Sequence, residues 1–172
     1  APPTRLEVVD RATGAALSGV EVLGLSGGSY RVGHPQGSRV KSLTAETDSP
    51  VTLAASGTFV QKGEVTALVG AQGYAWAKIT LDLQAGAERR VELEPGGMLT
   101  AKVDGAVPQG ADLRLYRIDS SQQISEVRLA RTNEVVWDSL LPGDYRVQVE
   151  LGESYRKSKV LATQSVAVEA GG

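Results

Sequence analysis

The sequence predicts an all-β chain folded as two tandem β-sandwich modules, and three observations point there. Apolar and polar residues alternate with a period of two rather than 3.6. Turn-forming Gly, Pro, Asp and Ser interrupt these runs about every 8–12 residues or slightly more, a spacing that suits sandwiches or barrels rather than βαβ units. A closing pattern also occurs twice: Val91-Glu92-Leu93-Glu94-Pro95-Gly96-Gly97, and Val166-Ala167-Val168-Glu169-Ala170-Gly171-Gly172 at the end of the chain.

Element by element, Arg5–Asp10 alternates as a half-buried strand should, and so do Val20–Val22, Ile79–Leu83 and Arg90–Leu93. After the first Gly-Gly, Met98–Val103 starts afresh. It is followed by Asp112–Ile118, Glu126–Leu129, Val135–Trp137, Tyr145–Val149 and Ser165–Val168. Asp119–Ser125 reads as a polar hairpin loop, and Gly24–Gly37 is the longest stretch without a pattern. The boundary falls at residues 95–97, dividing the chain into modules 1–95 and 96–172 of about seven strands each. Neither terminus has a spare strand, since residues 5–10 and 160–169 are needed by their own modules.

Composition narrows the chemistry. The 172 residues include 20 Gly, 7 Pro and no Cys, so disulfides, thiolate nucleophiles and Cys-type zinc sites are all excluded. The net charge is -2, and cutting after Glu94 leaves 9 basic and 10 acidic residues on each side. No basic patch is present to bind nucleic acid. No window approaches the roughly 20 apolar residues of a membrane helix. His34 is the only histidine, too few for a multi-histidine metal site; it reads as a solvated loop residue rather than a catalytic base, and its Gly-rich surroundings lack the helix a phosphate loop requires. The acidic residues alternate along strand faces or sit in turns, with no Asp-x-Asp-x-Asp ladder for calcium. No cofactor and no enzymatic activity are expected.

Several segments carry a family resemblance. Val9-Asp10-Arg11-Ala12-Thr13-Gly14-Ala15-Ala16-Leu17-Ser18-Gly19-Val20-Glu21-Val22 resembles the opening of carboxypeptidase-regulatory-like domains, with Ala16 where proline is usual. Thr47–Leu53, Ala71-Gln72-Gly73-Tyr74-Ala75 and Leu83–Leu93 are similar to later segments of that family. Leu140-Leu141-Pro142-Gly143-Asp144-Tyr145-Arg146-Val147 is similar to its Pro-Gly-x-Tyr signature. The resemblance implies prealbumin-like (Ig-like) sandwiches. It also implies a non-catalytic role as spacer, adhesion or contact modules of secreted or surface proteins. Gram-positive pilin modules of related shape carry a Lys–Asn crosslink from an Asn in the last strand. Asn133, the only asparagine, lies before the Trp137 strand instead.

Candidate contact residues are the aromatics and the glycine-rich loop: Tyr30, Arg31 and His34, together with Tyr74 and Trp76. Trp137 and Tyr145 occupy positions expected to fill the core, whereas Trp76 is out of phase with Ile79, Leu81 and Leu83. The sequence thus predicts a structural or interaction protein of the bacterial surface or extracellular space, whose partner is itself or another surface protein. Self-assembly into a homo-oligomer is one form of this. A carbohydrate-binding module and an accessory domain of a secreted enzyme are the alternatives.

Overall fold

The computed structural model describes residues 3–25, 40–53, 64–83, 86–119, 122–129, 132–154 and 157–171. Among these it is all-β, with thirteen strands and no helix. Seven strands precede Gly96: β1 (Thr4–Asp10), β2 (Glu21–Leu25), β3 (Val40–Ser42), β4 (Val51–Leu53), β5 (Glu64–Gly70), β6 (Ala77–Asp82) and β7 (Glu88–Leu93). They form two sheets, ordered β4-β1-β7 and β3-β2-β5-β6. β1 runs antiparallel to β4 and parallel to β7. Alternation puts Leu6, Val8, Val51, Leu53, Val91 and Leu93 of the first sheet against Val22, Val65, Ala67, Val69, Ile79 and Leu81 of the second. Together they make one buried core.

Six strands follow: β8 (Gly97–Lys102), β9 (Ala111–Arg117), β10 (Gln122–Arg128), β11 (Glu134–Leu140), β12 (Gly143–Ser154) and β13 (Lys157–Val168). The sheets are ordered β10-β9-β12-β13 and β11-β8. Trp137 and Tyr145, 1% and 2% exposed, anchor a second core with Leu99, Leu113, Leu115 and Leu140. The Tyr145 hydroxyl donates to the Leu141 carbonyl at 2.6 Å, which closes the Pro142-Gly143 corner. Each core is therefore a sandwich of two sheets.

Several sequence expectations are revised. From Gly97 on, six strands lie among the described residues, where about seven are expected. The last strand begins at Lys157 instead of Ser165, because Lys157–Ser165 is exposed throughout and buries no apolar face that would set an alternation. The expected polar loop shortens, since Gln122 and Gln123 already pair with Arg117 and Tyr116. Gly24 and Leu25 belong to β2, while residues 26–39 of that stretch lie outside the described residues. The strands β3, β4 and β5 had no sequence counterpart. In β5, Val65, Ala67 and Val69 face the core while Leu68 and Gly70 on the opposite face are buried too, so the polar half of the pattern is missing.

Candidate functional site

Two motifs singled out in the sequence meet at the base of the first sandwich. After β1, the Asp10 carboxylate accepts hydrogen bonds from the backbone N–H and hydroxyl of Thr13 at 2.7 and 2.9 Å. Gly14, at φ 71°, completes the turn in a conformation that suits glycine. The other Asp10 oxygen accepts the Tyr74 hydroxyl at 2.8 Å. These bonds, the one from the Thr13 backbone first, lower the Asp10 pKa, and the hydrogen bond to Asp10 raises that of Tyr74. The Thr-Gly turn and the Gly-Tyr segment are thereby tied together.

Trp76, two residues on, is half-buried with its ring laid over Gly70, where an added Cβ would come within 2.6 Å of Cε3. Its backbone N–H donates to the Ser139 carbonyl of the second half at 3.3 Å. Ser139 has a left-handed φ of 56° beside the irregular register between Trp137 and Leu140. The chain between the cores closes the seam. Ala75 donates to Glu94 at 2.8 Å, Gly96 to the Gly73 carbonyl at 2.9 Å, and Gly171 to the Gly96 carbonyl at 2.9 Å. A Cβ on Gly96 would lie 2.9 Å from the Ser139 Cα, 3.0 Å from the Ala75 nitrogen and 3.0 Å from the Tyr74 carbonyl carbon.

Tyr74 and Trp76 are thus brought together in this seam, and each has a partner within the chain. Tyr30, Arg31 and His34 lie outside the described residues. Sequence reasoning missed Asp10, Gly70 and Ser139 as their partners. The only signal was the Asp10–Gly14 turn motif, which says nothing of a contact 64 residues away.

Two other features belong to the second half. On the solvent side of the four-stranded sheet, Glu150 accepts Tyr116 through Oε1 and Arg114 and Ser158 through Oε2, each at 2.7 Å. Arg146 lies over the Tyr116 ring, 5.3 Å from its centroid. Between the edges of β8 and β13 a cavity of about 330 Å³ opens toward the core. Leu99, Ala101 and Val103 line one wall, Ala162, Gln164 and Val166 the other. Among the described residues no group of three or more His, Asp or Glu is placed to hold a metal. No described helix is long and apolar enough to cross a membrane.

No protein-family model matches the chain, and no curated protein does. Solved structures similar to it include the minor pilin GBS52 of the Gram-positive pathogen Streptococcus agalactiae, at 13% identity and a TM-score of 0.33, over 99% of this chain and 92% of that one. The Bacillus anthracis TIE protein is similar at 13% identity and a TM-score of 0.35, over 99% of this chain. This chain spans only 32% of its length. A streptococcal ancillary pilin is similar at 14% identity and a TM-score of 0.28, over 94% of this chain and 58% of that one.

Proposed function

We propose that this chain is a non-catalytic structural protein of the bacterial surface or extracellular space. In this reading two sandwich modules, residues 1–95 and 96–172, act as a stiff spacer that presents its faces to protein partners. The observation that carries it is the seam. Flexibly tethered modules meet through a linker with few crossing contacts. Here Trp76 and Gly96 bond across the joint, Gly171 bonds to Gly96, and Gly96 is enclosed between the Ser139 backbone and the Tyr74-Ala75 peptide. The aromatics expected to stack on a sugar are engaged instead, Tyr74 with Asp10 and Trp76 with Gly70. That favours the spacer over a carbohydrate-binding module at these residues. The carboxypeptidase-regulatory-like motifs support the same reading, because their turns build the first sandwich and its end of the seam.

The test is the distance distribution between spin labels placed on β6 and β10, one in each half. A narrow single peak is expected, and Gly96→Val, which cannot fit against Ser139, should broaden it while far-ultraviolet circular dichroism stays unchanged. A broad distribution in the unsubstituted chain overturns the spacer.

A further inference from the structure

We propose that β13 is a self-association edge, on which a second copy of this chain pairs its own β13 antiparallel about a two-fold axis. The proposal rests on the reading of this chain as a structural protein and gives that reading a partner. β13 is twelve residues long and, among the described strands, is paired only with β12. Among the described residues, none of the backbone hydrogen bonds made outside the strand ladders involves residues 157–168. The outward N–H and C=O groups of this edge are therefore a template for another strand.

Comparison with the other edges singles out β13. The edge strands β6, β7, β8, β10 and β11 carry charges, among them Lys78, Arg90, Lys102, Glu126 and Glu134, and β3 and β4 are only three residues long. Val160–Val168 is nine residues without a charge, with Val160 and Leu161 47% and 39% exposed. The usual protections of an edge, lysines and a bulge, sit toward the hairpin tip. Lys157 and Lys159 are there, and the register shifts where Val149 pairs Ala162 but Glu150 pairs Val160. Ala162–Ala167 is left unprotected, whereas Val168 is buried beside Gly97 of β8.

Charge selects the occupant. Antiparallel pairing of two β13 strands sets the Lys157 and Lys159 end of each copy beside Glu169 of the other, while the uncharged stretch meets itself. A parallel pairing would set lysine against lysine. Two-fold symmetry also keeps both core faces on the same side. The partner's Ala162, Gln164 and Val166 then fall along the mouth of the cavity between β8 and β13, whose lining sets Leu99, Ala101 and Val103 beside Lys102 and Asp104.

The chain has no cysteine, so each introduced thiol is the only one. Light scattering should give a species of twice 18.0 kDa at high concentration. Under mild oxidation Gln164→Cys, which this register places at the two-fold axis, should crosslink to itself quickly, and Gln72→Cys, exposed in a turn of the first half, slowly or not at all. When Lys159→Cys and Glu169→Cys chains are mixed, the mixed crosslink should outweigh either self-crosslink. Thr163→Lys, at an exposed edge position, should raise the dimer dissociation constant roughly ten-fold with an unchanged circular dichroism spectrum. A monomer at every concentration, a Gln72→Cys crosslink as fast as that of Gln164→Cys, or a dimer indifferent to Thr163→Lys would each overturn the proposal. With labelled chain diluted in unlabelled chain, the distance distribution reports one chain alone, so the spacer and the edge stand or fall separately.

Discussion

Glu150 stands on the solvent-side face of its sheet and is nevertheless only 4% exposed. Burial is the largest influence on its carboxyl and opposes ionisation. Hydrogen bonds from Tyr116 and Ser158 and the charges of Arg114 and Arg146 together outweigh it, so the pKa is lowered. A carboxyl depressed by folding contributes stability that is present above its unfolded value of 4.5 and is lost as pH falls through the folded one. Glu150→Gln removes the charge and one acceptor pair, and should cost about 2 kcal/mol at pH 7 in urea unfolding. The penalty should shrink as pH is lowered from 6 through the depressed pKa of the native carboxyl, as that carboxyl itself takes up a proton. An equal penalty at both ends would mean that ionisation of Glu150 is not what stabilises the sheet. Nothing in Val147-Gln148-Val149-Glu150-Leu151 announces this role, because an alternating strand places any glutamate on the outer face. That Tyr116 and Arg114 stand beside it is set by the pairing of β12 with β9.

At the scale of elements, β5 and the segment that returns from it form a unit. Gly70 ends β5, and Trp76 folds back over it before β6 begins. Gly70→Ala places a methyl group inside the space of the indole ring, and overpacking of this kind costs about 1–3 kcal/mol. The ring should be expelled, with a red shift of tryptophan fluorescence that is absent in a Trp76→Phe background, where the buried Trp137 alone reports. An unshifted spectrum would show that the ring can share the site. The position of Trp76 was open in the sequence because it precedes β6 and so does not follow the alternation of Ile79 and Leu81. Trp137 and Tyr145 were legible because both lie in phase with their strands.

Across the whole molecule, two separate cores share a backbone-bonded seam. Independent modules melt in separate transitions, whereas modules that lose a shared interface on unfolding melt together. One calorimetric transition is expected for the unsubstituted chain, and Gly96→Val should divide it in two. Two transitions at the outset would show that the seam transmits little free energy. β13 raises the matching question between molecules, since its exposed edge lies at the opposite side of the second core from β10.

Period-two alternation, turn residues and the repeated closing motif sufficed to determine an all-β chain of sandwich type, since burying one face of a strand demands that pattern locally. They also marked Asp10–Gly14 and Pro142–Tyr145 as corners, because those conformations are dictated by a few adjacent residues. Only the tertiary structure decided that Tyr74 is held by Asp10, that Trp76 covers Gly70, that Gly96 is enclosed beside Ser139, and that β13 stands at the edge of its sheet among the described strands. Each of these joins residues distant in the chain. Such pairings depend on strand order and register, which the alternation of one strand leaves undetermined.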